Sequence, residues 1–419
     1  MTSVSRQQAL ATAERLLDTD KILAAVPVGG FLNGLAGTAL LHARLAAVES
    51  VFAQAARRHW TAAAQNPGPH RGAAGTFSSP GGLAASLIIG SAYLPDPDSQ
   101  RTVTARAVRW LAARAVDLAQ GREEHLRSGG VGTPWPMYDA INGLAGIGRV
   151  LLAALTAGYD TAESGLLAAL RTLTSMINTQ YGRRPGWWLP AGEQSSAMTV
   201  HPSGAATTGM AHGIAGPVSL LATAHAAGWS VAGQRAAIQS AAHWLLRWRT
   251  DAAHSWAPYV TGDELDSDTT QPSAGRRDAW CYGAPGIGRA LILAGSALAD
   301  PQLTTAELTT AGEAAIASLA DRPADLWDVE GPTLCHGHAG VLQSAIASQG
   351  STGDRAAAAV TAAFNPQLIF AFRHLHHGLL SDEPGLLTGS AGVALALADH
   401  GQLPAQPVPT RWDAILLLS

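Results

Sequence analysis

The chain has 419 residues, 47% hydrophobic and only 14% charged, with 27 basic against 31 acidic side chains and a formal net charge of −4. That balance argues against the basic surface of a nucleic-acid binder and suits a compact globule. Two cysteines in this length exclude a disulfide framework and leave thiols that are free, catalytic or metal-bound.

The opening stretch MTSVSRQQALATAERLLDTD interleaves charge with apolar residues at helical spacing and lacks the unbroken apolar core of a secretory signal. The longest apolar run, residues 81–94, is interrupted by Ser86 and Ser91 and falls short of the ~20 residues needed to span a bilayer. A cytoplasmic protein without an integral membrane segment is expected.

From Asn33 onward a short glycine motif followed by an apolar run recurs seven times. The copies begin NGLAG at Asn33, GGLAA at Gly81, NGLAG at Asn142, HGIAG at His212, YGAPG at Tyr282, HGHAG at His336 and TGSAG at Thr388. The second is degenerate, with Ala85 in place of the last glycine. Each interval between copies has room for two helices. The motif helices are apolar on nearly all sides, as an inner layer requires, whereas the segments from Arg101, Gly165 and Gln234 show one apolar face and read as outer helices. The expectation is an all-α fold, an α/α toroid of seven helical hairpins with inner and outer layers, forming a single domain over residues 1–419. In such a ring the residues just before each motif glycine gather at the centre of one face.

Residues 181–209 and 250–280 break the pattern, being rich in Gly, Pro, Ser and Asp, and read as loops or short strands bordering that face, placed to grip a substrate. The run HLHHG, with His374, His376 and His377, reads as surface histidines on an outer helix, away from the motif register. GAPGIG from Gly283 mimics a dinucleotide fingerprint, but no strand or βαβ pattern surrounds it.

Aligned on the first motif glycine, Cys281 and Cys335 occupy the same position, and His212, Tyr282 and His336 occupy the next. Two thiolates and an imidazole from Cys281, Cys335 and His336 make a zinc-binding set with one coordination place open, the mark of a catalytic rather than a structural zinc. The plainer alternative is two buried thiols and a hydrogen-bonded histidine. His338 is a poor fourth ligand because it lies inside the helix start. His212, one repeat earlier, is a candidate to exchange protons with a substrate at the metal. Asp139 and Arg277 flank the same face and can orient His212 or stabilise negative charge, or form structural ion pairs; Tyr282 can donate a hydrogen bond or simply pack.

Together YDAINGLAGIG, AHGIAG, WCYGAPGIG and LCHGHAG resemble the lanthionine synthetase C family, the cyclases of lantibiotic biosynthesis, and the likeness runs from Asn33 to the terminal WDAILLLS. GWW from Gly186 also resembles a family feature. The resemblance implies one Zn²⁺ held by Cys281, Cys335 and His336, with Asp139, His212, Arg277 and Tyr282 around it. It implies that peptide cysteine thiols add to dehydroalanine or dehydrobutyrine, with His212 handling the proton. Asn142 stands where relatives often have Ser. No dehydratase or kinase region precedes the repeats, so the chain resembles stand-alone class I cyclases. A dehydrated precursor peptide, a separate dehydratase and an exporter, with peripheral placement at the membrane, are the partners and setting so implied. Three rivals stay open: a relative adding glutathione to dehydroamino acids, a helical-barrel glycosidase using Asp139, and a non-catalytic scaffold stapled by zinc.

Overall fold

The computed structural model describes residues 2–68, 75–194, 201–250, 254–267, 277–299, 306–348, 350–376 and 378–419. Thr2–Arg15 forms α1, and each glycine motif then opens an inner helix that, in all but the last copy, is followed by an outer one. The inner helices are α2 (Leu35–Arg44), α4 (Gly81–Gly90), α6 (Leu144–Thr156), α8 (Ala215–Ala226), α10 (Ala284–Leu298), α12 (His338–Ala345) and α14 (Ser390–His400). Their outer companions are α3 (Ser50–Gln65), α5 (Arg101–Arg127), α7 (Glu163–Asn178), α9 (Gln234–Arg247), α11 (Ala306–Ala317) and α13 (Thr352–Ala362).

Burial follows the two sequence patterns. Every residue of α2 is buried, so that helix has no solvent face. In α9 burial falls on Ala237, Ile238, Ala241, Ala242 and Leu245, a stripe at three-to-four spacing facing inward. Each fully buried Leu or Ile in these stripes contributes about 1.5–3 kcal/mol by leaving water.

The inner helices neighbour one another in the order α2, α4, α6, α8, α10, α12, α14 and back to α2, which closes an α/α toroid. Six of the hairpins are consecutive in sequence. The seventh is not: α14 packs against α1, fastened by Ser5 Oγ at 3.0 Å from His400 Nδ1. The centre of the ring is filled. The turn Trp412–Leu416 and the residues after it are almost fully buried, and their carbonyls accept from Trp280 Nε1 at 2.9 Å and from Arg289 at 2.8 Å.

The lead-in segments before the motif glycines are joined to one another by backbone hydrogen bonds. Ala140 N–H donates to Ala211 O at 3.0 Å, Ala211 to Cys281 O at 3.1 Å, Cys281 to Cys335 O at 3.3 Å and Cys335 to Leu387 O at 2.9 Å. Leu386 N–H then donates to Leu32 O at 2.8 Å and Leu32 to Phe77 O at 3.2 Å. Thr76 Oγ1 donates to Ala140 O at 3.2 Å and completes the circuit. This belt satisfies buried backbone groups and fixes the register of the repeats. The second motif glycine permits it: a Cβ on Gly286 or Gly340 would lie 2.1 Å from the carbonyl oxygen of Trp280 or Leu334, six residues upstream.

Among the described residues the non-helical segments form three small antiparallel sheets. Gln180–Tyr181 (β1) pairs with Arg184–Pro185 (β2); Trp188–Leu189 (β3), Ala205–Thr207 (β4) and Tyr259–Thr261 (β5) make the second sheet. That second sheet unites the two segments expected to border the functional face; residues 195–200, 251–253 and 268–276 lie outside the described residues. Arg373–His376 (β6) and Leu379–Asp382 (β7) form a hairpin. The expected outer helix at HLHHG is therefore wrong. Gly378, at φ +79, turns the chain, and β6 sets an exposed Arg373 beside a buried His374. His377 lies outside the described residues. Among the described residues no helix is long and apolar enough to cross a membrane.

Candidate metal and acid–base site

Register in the belt brings the two cysteines together. Cys281 precedes α10 and Cys335 precedes α12, and the bond between their backbones sets the side chains alongside one another. Both thiols are buried. The ligand atoms of Cys281, Cys335 and His336 all lie within 4.8 Å of one another, and Cys281 Sγ is 3.1 Å from His336 Nδ1. Small side-chain rotations bring such a group to the ~3.5 Å spacing of tetrahedral ligands, and the donor set of two soft sulfurs and one imidazole fits zinc. Among the described residues this is the group of metal-ligating side chains that meets that spacing.

The electrostatics favour one thiolate even before a metal is considered. A hydrogen bond from Cys335 holds Cys281 well below the ordinary thiol value against burial, helped by His336 and by the positive charge of Arg277. Cys335 is pushed well up, by the same hydrogen bond and by burial.

His338 turns away from this group: its ring nitrogens face the carbonyls of Gly331 at 3.0 Å and Ala324 at 3.1 Å. His374, in contrast, is not on the surface. It is buried on β6, its Nδ1 lies 3.1 Å from Thr333 Oγ1, and its ring stacks on His336 with centroids 6.1 Å apart. The sequence reading assigned it to the wrong element because a four-residue strand carries little periodicity.

His212 stands on the same face, one repeat away. Its Nδ1 is 2.6 Å from Asp139 Oδ2. Asp139 is fully buried, and its other oxygen accepts from the backbone N–H groups of Asn142 at 2.6 Å and Gly143 at 2.9 Å, at the head of α6. Those donors hold a carboxylate that is an acceptor only, so the proton on His212 Nδ1 points at Asp139 and Nε2 is left for other work. Burial works against the imidazolium, but the charge and hydrogen bond of Asp139, with Cys281 adding to them, carry His212 above the ordinary histidine value. The negative charge of Cys281 and the positive charge of His336 both act on this ring, which ties the dyad to the sulfur group.

Arg277 and Tyr282 take different places around the centre. Arg277 donates to Glu330 at 3.0 Å and has Asp328 at 3.7 Å, so its side chain is held by two acids while its charge reaches Cys281. Tyr282 is half-buried, with its ring against Gly209. Burial and the Cys281 charge push its phenol well up, so it keeps its proton and remains a donor.

Trp135, Tyr138, Thr207 and Glu330 also shape the site and were not singled out from the sequence, whereas His374 was read there as a surface histidine. Trp135 stacks on His212 with centroids 5.1 Å apart, while Tyr138 and Thr207 bond to the His212 carbonyl. The segment PWPMYD, immediately upstream of a motif, was the available signal for the first two.

With this geometry in hand, a family profile described as lanthionine synthetase C-like protein matches residues 29–417. The chain belongs to the lanthionine synthetase C-like family. Within the family, it is 28% identical over 213 residues to the nisin biosynthesis protein NisC of Lactococcus lactis subsp. lactis, an alignment covering 50% of this chain and 48% of that protein. The chain thus spans about half the length of that curated relative. Among solved structures, nisin cyclase superposes with a TM-score of 0.72 at 18% identity, covering 99% of this chain and 96% of the other. That likeness establishes the toroidal fold.

Proposed function

We propose that this chain is a zinc-dependent lanthionine cyclase acting on a dehydrated precursor peptide. The observation that carries this reading is the meeting of the Cys281, Cys335 and His336 group with the His212–Asp139 dyad on one face of the ring. Zinc held by those three residues would supply a Lewis acid that lets a peptide cysteine lose its proton near neutral pH.

The chain's own groups account for the rest. His212 takes up the thiol proton at Nε2, while Asp139 holds the ring and balances the imidazolium charge. When the thiolate adds to the β-carbon of dehydroalanine or dehydrobutyrine, a C–S bond forms and the C=C π bond breaks. His212 returns the proton to the α-carbon, so the reaction is a net addition with nothing left over. The Tyr282 phenol and the Arg277 charge favour the enolate as it develops. Strand β4 of the second sheet runs into the segment that carries His212, and that sheet would form one wall for an extended peptide. A separate dehydratase and an exporter would precede and follow this step, in the cytoplasm or at the inner membrane surface.

The test is a peptide carrying one dehydroalanine and one cysteine, incubated with zinc-loaded protein and glutathione. Cyclisation leaves mass unchanged and removes the thiol that iodoacetamide alkylates. A mass gain of one glutathione with the peptide thiol still alkylatable would instead establish the glutathione-adding activity.

A further inference from the structure

We infer that Trp135 is a positioning residue for His212, clamping the imidazole by its face so that the open ring edge stays aimed at the reacting carbon. This rests on the cyclase reading for its chemistry but not for its geometry.

The hydrogen bond from Nδ1 to Asp139 fixes one edge of the ring and leaves it free to tilt about that bond. The Trp135 indole removes the freedom: the two rings are 5.1 Å apart and 18° from parallel. The indole is itself tied down, its Nε1–H donating to Thr207 Oγ1 at 3.2 Å. Thr207 Oγ1 in turn donates to the His212 carbonyl at 2.7 Å. Tyr138 reaches that carbonyl as well, at 3.2 Å. Three of the direct contacts to His212 come from one short helical turn, Trp135–Tyr138, and the residue that caps it, Asp139, whose N–H donates to Trp135 O at 3.0 Å. Pro134 and Pro136 on either side of Trp135 stiffen the backbone that presents the indole. A face contact of this kind also favours the cationic ring, since an indole π face attracts positive charge. The His212 side chain keeps 31% of its surface exposed, so the clamp leaves an approach for substrate.

A loosely held acid should protonate a planar enolate from both faces. The experiment compares wild type, Trp135→Leu, Trp135→Phe and His212→Ala, each checked for zinc content and thermal midpoint, with the dehydroalanine–cysteine peptide. Trp135→Leu is expected to lower kcat about tenfold with KM within twofold, and to give a mixture of diastereomers at the new α-centre where wild type gives one. Trp135→Phe, which restores a stacking face without the Nε1 donor, should recover a single diastereomer. A readout independent of turnover is the His212 ring in NMR spectra of labelled protein: its Cε1–H resonance should carry an upfield ring-current shift that Trp135→Leu abolishes and Trp135→Phe partly retains. A wild type that forms no rings but shows the ring-current pattern sinks the cyclase reading and leaves the clamp standing. Wild-type kinetics and a single diastereomer in Trp135→Leu, or no ring-current change, would overturn the inference.

Discussion

Asp139 and His212 lie 73 positions apart in sequence, yet their side chains meet at 2.6 Å because Ala140 and Ala211, beside them, are bonded backbone to backbone. The dyad is therefore as precise as the belt. Asp139→Asn preserves the shape and removes the charge that keeps the imidazole in its working tautomer. Cyclisation is expected to fall about 100-fold with zinc content unchanged, as read from ring-formation rates beside metal analysis. Full activity in that variant would remove Asp139 from the mechanism.

Metal binding is expected to need both sulfurs. Cys335→Ala should lose stoichiometric zinc, and zinc-edge X-ray absorption of the unaltered protein should show two sulfur ligands, rising to three when a cysteine peptide is added. Chelation should lower the thermal midpoint, since a ligand present at 1,000 times its Kd stabilises a fold by about 4 kcal/mol. A shell of four protein ligands would point to a structural zinc.

Acid should destabilise the ring through a pair far from the metal. His42 and His59 are fully buried, edge to face at 4.8 Å. Burial, then the neighbouring His59, lowers His42 to about 3, and burial lowers His59 to about 4. Well above pH 6.5 both are neutral whether the chain is folded or not. Below it the unfolded chain binds protons that the folded one refuses, so stability falls by about 1.4 kcal/mol per pH unit for each histidine. The loss continues until the folded values are reached. Denaturation midpoints between pH 7 and 4.5 should show this slope, and His42→Gln should make it shallower by one proton.

Gly340→Ala is expected to cost about 1–3 kcal/mol, because the new methyl would meet Leu334 O and push Cys335 out of the belt. Urea midpoints and zinc affinity should fall together. Ala85→Gly, at the degenerate copy, should cost only the ~1 kcal/mol of helix propensity.

The repeat motif made the toroid legible, because seven copies of one glycine signature impose one local geometry seven times. The alignment of Cys281 with Cys335 was legible for the same reason. Three features were not. The pairing of α1 with α14 joins a helix that carries no motif to one that does, and nothing local marks the partnership. His374 sits on a hairpin of four-residue strands, where a run of histidines looks the same on a strand as on a helix. Trp135 reads in sequence as an aromatic between two prolines; only the fold of the belt shows that its face meets His212.

The filled centre of the ring bears on timing. Trp280, adjacent to a cysteine of the candidate site, is anchored to the carbonyl of Leu416. During synthesis the ribosome makes residues 412–418 long after both cysteines have emerged. A growing chain can form its hairpins in order, but the anchor of Trp280, beside Cys281, is made only after every inner helix has been synthesised.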